Sequence, residues 1–236
     1  MHALDGKLYF SGTDGLEYEL YVYDPDTGTT IAVASADKNG SGSTSPWDPH
    51  ALDGKLYFSG NDGLEYELYV YDPDTGATTA VASADKNSGG STAPYDMHAL
   101  DGKLYFGGKD DSEEWELYVY DSVAGTTTAV ASANLNSSGS TAPAYMHALD
   151  GKLYFRGTDG SENELYVFNP EMGATSKVDS ANKNSSGGTD PSFMQALDGK
   201  LYFSGTDDGL EYELYVYDPD TGAPTAVASA DKNSRG

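Results

Sequence analysis

Short segments that mix apolar, aromatic and polar residues run along the whole chain, separated by turn-forming residues. Residues 96–100, for example, are followed by Asp101-Gly102 and then by Lys103-Leu104-Tyr105-Phe106. An Asp-Gly pair between two such segments is typical of a two-residue β-hairpin. A further segment, 67–71, ends in Asp-Pro-Asp-Thr-Gly, where Pro and Gly suit a tight turn. The pattern predicts β-strands joined by short turns, with a fourth strand at Thr78–Ala82 and a long polar linker after it.

The same order of segments occurs five times. The segment Ala-Leu-Asp-Gly-Lys-Leu-Tyr-Phe begins at intervals of 48, 48, 49 and 48 residues, at Ala3, Ala51, Ala99, Ala148 and Ala196. A second segment, Glu-Leu-Tyr-Val, begins at Glu19, Glu67, Glu116, Glu164 and Glu213. A fixed period of this length is typical of propellers and solenoids. The predicted repeats are approximately 1–45, 46–93, 94–142, 143–190 and 191–236.

The predicted strands carry apolar residues on both faces. Leu8 and Phe10 point to one side of their strand and Tyr9 to the other. Both faces must then be covered, as adjacent propeller blades cover one another. A solenoid would need fewer turns per coil, and the Thr, Tyr, Val and Gly content excludes a helical repeat. We predict an all-β fold, a five-bladed β-propeller with four antiparallel strands per blade, forming one domain over 1–236.

Repeat length varies at one place only. Extra residues lie between the second and third strands of the third and fifth repeats, at 109–115 and 206–212, as expected of exposed hairpin tips. The linker keeps a Gly-to-Pro separation of 18 residues, so we expect it to span a fixed distance. Because each blade is continuous in the chain, blade five would meet blade one by side-chain packing alone. We expect a monomer, with a blade-swapped oligomer as the alternative.

Charge limits the classes of partner. With 38 acidic and 13 basic side chains, the formal net charge is −25, which repels nucleic acid and anionic membranes. There is no Cys, so disulfides and thiolate metal sites are excluded. No stretch reaches about 18 consecutive apolar residues, so we expect no membrane insertion. The first five residues enter a strand pattern directly, so we expect no signal peptide.

The repeat resembles a known bacterial family. Ser91-Thr92-Ala93-Pro94, then residues 101–106 and then Glu116-Leu117-Tyr118 follow the order of the ELWxxDGT surface repeat. Tyr stands where that family favours Trp, and Tyr-Asp-Pro-Asp-Thr-Gly replaces its Asp-Gly-Thr turn. The resemblance implies an extracellular or cell-surface protein. In blade number and repeat length the chain is also similar to tachylectin-type five-bladed lectins, at the level of fold alone.

Histidines occupy one register of the first strand in four repeats. They are His2, His50, His98 and His147, with Gln195 in the fifth. First strands line the channel of a propeller, so these side chains could form a ring that binds a transition metal. The alternative is a structural His, copied with the repeat, that bonds a carbonyl of the neighbouring blade.

The linker of the first repeat has the oxygen spacing of a calcium loop. Its predicted ligands are Asp37, Asn39, Ser41 and Asp48, and the second repeat keeps Asp85, Asn87 and Asp96. Apart from this calcium ion and the transition metal of the histidine ring, we expect no cofactor. The same residue types are ordinary turn formers, so a plain polar loop is the alternative.

An aromatic residue follows the Pro that ends each linker. These residues are Trp47, Tyr95, Tyr145 and Phe193, with Asp48 and Asp96 beside the first two. Exposed aromatic rings with nearby carboxylates suit sugars, whose C–H faces stack while their hydroxyls donate to Asp. The alternative is that these rings pack one blade on the next.

The chemistry of the repeats argues against catalysis. Acids such as Asp14, Glu17 and Glu19 recur in equivalent surroundings, whereas a catalytic pair needs two different ones. We therefore expect a non-catalytic binding or scaffold module, with a glycan or a protein surface as its ligand. Several similar sites would give avidity. A purely structural repeat, recently amplified or engineered and without a ligand, is the competing interpretation.

Overall fold

The computed structural model describes residues 1–40, 42–137, 139–178, 188–207 and 211–227. It contains five sheets of four antiparallel strands, each in chain order from first strand to fourth. This is the all-β propeller fold that the sequence predicts, with one sheet per blade. No helix in the described ranges has the length and apolar character to cross a membrane.

The strands of the first two blades are β1 His2–Leu4, β2 Lys7–Thr13, β3 Tyr18–Asp24, β4 Thr29–Ala32, β5 Trp47–Leu52, β6 Lys55–Asn61, β7 Tyr66–Asp72 and β8 Ala77–Ala80. Those of the other three are β9 Tyr95–Leu100, β10 Lys103–Lys109, β11 Trp115–Asp121, β12 Thr126–Ala129, β13 Ala144–Leu149, β14 Lys152–Thr158, β15 Asn163–Asn169, β16 Ala174–Lys177, β17 Ser192–Leu197, β18 Lys200–Thr206, β19 Tyr212–Asp218 and β20 Ala223–Ala226. Short 3-10 helices lie at Ala34–Ala36, Ala82–Ala84 and Ala131–Ala133.

The chain divides into two compact units. The first comprises Met1–Glu114 and Tyr118–Ala129, and the second comprises Trp115–Leu117 and the chain from Val130 onward. In the first unit the first strands of successive blades, β1, β5 and β9, contact one another. In the second unit β13 contacts β17 in the same way. The first strand is therefore where neighbouring blades come together within each unit.

The turns have the predicted backbone conformations. Asp53 and Gly54 have φ of +51° and +73°, the two positive values that a type I′ hairpin requires. At the next turn, the Gly76 N–H donates to the Asp72 carbonyl over 2.9 Å, with Gly76 at φ +68°. The longer hairpin of the third blade lies between β10 and β11, as predicted. Part of the corresponding loop of the fifth blade lies outside the described residues.

The fourth strand ends earlier than predicted. Strand β8 stops at Ala80, and a 3-10 helix, Ala82–Ala84, replaces the expected end of the strand and start of the linker. Ala84 is fully buried, so a larger side chain would not fit at this bend. Ser83 Oγ lies 3.1 Å from Thr127 Oγ1 of the next blade. The linker is therefore anchored where the sequence suggested only a polar loop.

Both faces of the sheets in blades two and three are covered. In the second blade Leu56, Tyr57 and Phe58 are 0–2% exposed although they alternate between faces of β6. Leu104, Tyr105 and Phe106 repeat this in the third blade, at 0–3%. The prediction of a sheet buried on both sides is confirmed for these two blades, and the burial stabilises them. In the first blade Tyr9 is buried, whereas Leu8 and Phe10 on the other face are half-buried.

A buried threonine ties each linker to the blades on either side of it. Thr92 is fully buried. Its N–H donates to Glu67 Oε1 of the second blade over 3.3 Å, and its carbonyl accepts the Lys109 N–H of the third over 2.8 Å. Its hydroxyl accepts the Lys86 N–H over 2.7 Å and so closes the linker on itself.

The same arrangement occurs one blade earlier. Thr44 is also fully buried and accepts the N–H groups of Lys38 and Asn61, each over 2.7 Å. Its own N–H donates to Glu19 Oε1 over 3.1 Å. In the second unit, Thr141 accepts the N–H groups of Leu135 and Thr158, each over 2.9 Å. These bonds explain why the linker keeps one length.

We call the buried linker threonine and its bonds to the two flanking blades the junction. Replacing Thr92 by Val tests this junction. The substitution keeps the shape of the side chain but leaves the Lys86 N–H without its acceptor. We expect the free energy of unfolding to fall by about 1–3 kcal/mol in urea denaturation. The control is Thr79→Val at an exposed position of β8, which should change it by less than about 0.5 kcal/mol. Equal unfolding midpoints for the two variants would contradict the assignment.

Glu67 gives the junction a pH dependence. Burial, opposed by the Thr92 N–H, raises the pKa of Glu67 from 4.5 to about 7. The folded state then binds this proton more tightly than the unfolded state, so this group's contribution to stability falls as pH rises from 4.5 to about 7. Glu67→Gln keeps an acceptor oxygen but removes the charge. Allowing for solvent screening, we expect it to stabilise the fold by about 1 kcal/mol near pH 8.

The stabilisation should disappear below about pH 4.5, where the wild-type carboxyl is protonated in both states. Asp74→Asn, in an exposed turn, controls for the general benefit of removing one negative charge. The assignment is wrong if urea denaturation shows the two variants with the same pH dependence.

Candidate functional site

A bulge interrupts the first strand of blades two to five. In the second blade Trp47 pairs with Ser59 and His50 with Tyr57, so Asp48 and Pro49 together lie opposite Phe58 alone. The residue after the first of the strand has a positive φ, between +51° and +55°, in all four blades: Asp48, Asp96, Tyr145 and Phe193. A left-handed, bulged residue re-aims the side chains around it, and such bulges are frequent beside functional sites.

The four aromatic residues that the sequence grouped together occupy two different positions of this bulge. Trp47 and Tyr95 are the first residues of their strands, whereas Tyr145 and Phe193 are the second, left-handed residues. The predicted group of aromatics therefore contains two different positions of the repeat. Distance from the preceding Pro differs by one residue between the two pairs, and in a strand one residue reverses the direction of the side chain.

The first cleft lies in the first unit, between blades one and two. It is a cavity of about 470 Å³ whose lining includes Ser11, Tyr18, Ser45, Trp47 and Asp48. Trp47 is 42% exposed and Tyr18 is 55% exposed, so both rings are accessible to a ligand.

Asp48 also has a structural role in this cleft. Its Oδ2 accepts the Met97 N–H of the third blade over 2.6 Å. Burial raises the pKa of Asp48, and bonds from backbone N–H groups oppose that rise. One carboxylate oxygen is therefore committed to holding the next blade in place.

Tyr95 lies close to the neighbouring strand. A Cβ added to Gly107 would lie 2.4 Å from Cε1 of the Tyr95 ring, and the two residues pair across β9 and β10. Tyr95 and Asp96 are both half-buried. At Tyr95 the alternative that the aromatic packs against the blades fits the geometry better than an open stacking surface.

The second cleft lies in the second unit, between blades four and five. It is a cavity of about 350 Å³, lined by Tyr145, Arg156, Asp190, Ser192, Phe193, Ser204 and Tyr212. Phe193 is 77% exposed and Tyr212 is 57% exposed. The Tyr145 and Phe193 rings are tilted, with centroids 5.4 Å apart. The structure thus brings together two of the predicted aromatics with polar residues that the sequence did not indicate.

An ion pair lies within this second cleft. Arg156 Nη1 is 3.1 Å from Asp190 Oδ1, and the guanidinium lies 4.9 Å over the Tyr145 ring, in cation–π range. The Tyr212 hydroxyl donates to Asp190 Oδ2 over 2.5 Å. Asn163 Nδ2 donates to Asp190 Oδ1 over 3.2 Å. Arg156 and Asp190 were not among the site residues that the sequence predicts.

A signal for both residues was present in the sequence. Aligning the second strands places Arg156 where the other blades have Ser11, Ser59, Gly107 and Ser204. Aligning the linkers places Asp190 where they have Ser45, Ala93 and Ala142. Two charged substitutions in one near-identical repeat would have indicated this cleft.

The histidines have structural partners. The rings of His2 and His50 lie 4.7 Å apart and those of His50 and His98 lie 5.5 Å apart. His50 Nε2 accepts the Ala99 N–H over 3.1 Å, and His147 Nε2 accepts the Ala196 N–H over 3.0 Å. The partner is a backbone N–H rather than the expected carbonyl. Gln195 is exposed.

These bonds bear on the predicted metal ring. A metal bound through Nε2 of His50 or His147 would displace these N–H donors. Burial and the neighbouring imidazoles lower the pKa of His50 to about 3, so its ring is neutral at physiological pH. Metal binding to the ring stays a prediction.

The predicted calcium ligands within the described residues make separate contacts in their loops. Asn39 Nδ2 donates to the Ser43 carbonyl over 3.2 Å, and Asn87 Oδ1 accepts the Gly89 N–H over 3.3 Å. Asp37 and Asp85 end 3-10 helices, and Ser41 lies outside the described residues. Within the described ranges no three His, Asp or Glu side chains form a group that could hold a metal. Calcium binding stays a prediction.

The recurring acidic side chains accept hydrogen bonds from backbone N–H groups. Asp14 Oδ1 accepts the N–H groups of Leu16 and Glu17 over 2.9 and 3.2 Å, which closes the hairpin tip. Glu19 and Glu67 bind the junction threonines, as described above. The Glu at the start of the third strand is therefore bonded to the linker that follows its blade.

Comparison with known proteins shows the fold. No protein-family model and no curated protein matches the chain. TolB from Acinetobacter baumannii is 16% identical, with a TM-score of 0.61 over 95% of this chain and 53% of that one. The β-propeller domain of the Trilobed protease from Pyrococcus furiosus is 13% identical, with a TM-score of 0.57 over 94% of this chain and 65% of that one.

A puromycin-hydrolyzing peptidase from Mycobacterium tuberculosis is 14% identical, with a TM-score of 0.63 over 93% of this chain and 35% of that one. The chain therefore spans about half of TolB and about a third of this peptidase. At these identities the likeness shows a shared propeller fold.

The close approach of Tyr95 to Gly107 is testable by a double-mutant cycle. We expect Gly107→Ala to destabilise the fold by about 1–3 kcal/mol in urea denaturation, because the new Cβ displaces the ring. In a Tyr95→Ala background the same change should have little effect. Gly89→Ala, where a Cβ meets open space, is the control. An undiminished effect in the Tyr95→Ala background would contradict the assignment.

Proposed function

We propose that this chain is a non-catalytic binding module that holds sugar rings of a glycan in the clefts beside its first-strand bulges. The observation that carries the proposal is the exposure of Trp47 and Phe193 at these bulges, each in a cavity that also has polar side chains. Aromatic faces stack on the C–H faces of sugars, and neighbouring polar groups bond their hydroxyls.

The contacts of the recurring acids support a non-catalytic role. Glycosidic bond cleavage needs one carboxyl group as acid and another as base or nucleophile at a set separation. Glu19 and Glu67 instead accept backbone N–H groups at the blade junctions, and Asp48 accepts the Met97 N–H. Their positions suit structural bonds between blades.

Repetition supports binding through avidity. The chain has two such clefts, and binding two sugar units at once raises overall affinity without new contacts. A cell-surface location, implied by the resemblance to bacterial surface repeats, would place the chain among such glycans. This location is part of the proposal.

Binding to a glycan array followed by calorimetry tests the proposal. For a glycan that binds, we expect Trp47→Ala to weaken the first cleft and Phe193→Ala the second, each by about tenfold, because each removes a stacking surface. Leu64→Ala, at a hairpin tip where Leu64 is 87% exposed, is the control and should bind as the wild type.

Three results would count against this function. If no glycan of the array binds, the result would favour a purely structural repeat. Binding to a protein partner alone, with no glycan bound, would replace the ligand class. A bound glycan that is insensitive to both cleft substitutions would place the site elsewhere on the molecule.

A further inference from the structure

We infer that the cleft between blades four and five is selective for sugars that carry a carboxylate, such as a uronic acid. This inference deepens the proposed function and rests on it. It concerns the second cleft alone, whose arginine distinguishes it from the cleft between blades one and two.

The starting observation is the exceptional position of Arg156. The other blades have Ser or Gly at this point of the second strand, and the corresponding residue in the first cleft is Ser11. With a net charge of −25, the molecule repels acidic ligands at long range. Arg156 places a cation at a cleft, where Asp190 pairs with it on one side. Its remaining N–H donors can attract an acidic ligand at short range.

Arg156 is held rigidly for that purpose. Asp190 pairs with one terminal nitrogen at 3.1 Å, and the Tyr145 ring supports the guanidinium plane from one side. Asp190 is itself held by donors from Tyr212 and Asn163. Its negative charge raises the pKa of Tyr212, which keeps that hydroxyl protonated as a donor. A guanidinium positioned in advance loses little entropy when a ligand binds.

The bonding of the guanidinium is incomplete. Arginine has five N–H donors, and the bond to Asp190 uses one of them. Among the described residues, Arg156 Nε is buried and has no hydrogen-bond partner. Nε is closed off from the cleft, but the Arg156 side chain is 25% exposed. The remaining N–H donors of its terminal nitrogens can therefore meet a planar carboxylate.

The rest of the cleft suits a sugar ring. Phe193, 77% exposed, places an apolar face beside the cation, and the hydroxyls of Ser192 and Ser204 contribute to the lining. The cavity of about 350 Å³ is near the lower end of the range for small-molecule sites and suits one monosaccharide unit. A ring stacked on Phe193 would bring a carboxylate substituent to Arg156.

The test compares methyl β-D-glucuronide with methyl β-D-glucoside, which lacks the carboxylate, by NMR titration of the full chain. We expect the wild type to bind the glucuronide about tenfold more tightly than the glucoside. Arg156→Ser introduces the residue found at positions 59 and 204 and should remove this preference while changing glucoside affinity less than about twofold. Trp47→Ala, in the other cleft, should leave the preference unchanged.

Two further variants address the mechanism. Arg156→Lys keeps the charge but not the planar fork, so we expect it to retain only part of the preference. Asp190→Ala, the residue found at positions 93 and 142, removes a carboxylate that repels the ligand and competes for the guanidinium, so we expect it to strengthen glucuronide binding. Circular dichroism and the urea midpoint establish that each variant is folded.

The outcomes separate the two proposals. Equal binding of both sugars by the wild type overturns carboxylate selectivity and leaves glycan binding standing. A preference that survives in folded Arg156→Ser also overturns it, because the cation is then not its cause. If neither sugar binds and the glycan array is silent, both proposals fail.

Discussion

The buried threonine of each linker is the constraint on which the rest of the structure depends. Thr92 donates to Glu67 of one blade and accepts from the second strand of the next. It thereby fixes how far the chain travels before a new blade begins. Buried backbone groups are costly to leave unpaired, so the length of the linker and the position of the following strand are set together. Thr44 makes the same bonds one blade earlier.

The binding clefts follow from this constraint. Because the junction fixes the start of the first strand, the bulge that follows it lies at the same place in every blade where it occurs. The backbone of a cleft is therefore repeated, and only its side chains vary. Trp47 with Ser11 and Asp48 makes one aromatic cleft, whereas Phe193 with Arg156 and Asp190 makes one that contains an ion pair. Repetition thus provides the scaffold, and departures from it distinguish one cleft from another.

Local chemistry made most of the fold predictable. Asp-Gly pairs and the Asp-Pro-Asp-Thr-Gly turn dictate their own backbone conformations, and strands apolar on both faces imply coverage by neighbours. The 3-10 helix at Ala82–Ala84 and the strand bulges depend on contacts between blades, which no local pattern contains. Trp47 and Phe193 were grouped as aromatics that follow a Pro, although one lies one residue and the other two residues beyond it, at different positions of the bulge. Arg156 was not predicted as a site residue because the predicted sites were taken from positions that recur in several repeats, and an Arg occurs at this position in one repeat only.

The crystal structure of this chain bound to methyl β-D-glucuronide tests the account most directly. The account predicts electron density for the sugar in the cleft between blades four and five, with its ring against Phe193. Its carboxylate should lie within hydrogen-bonding distance of Arg156, about 2.7–2.9 Å. A sugar bound with its carboxylate turned away from Arg156, or bound only outside this cleft, would contradict it.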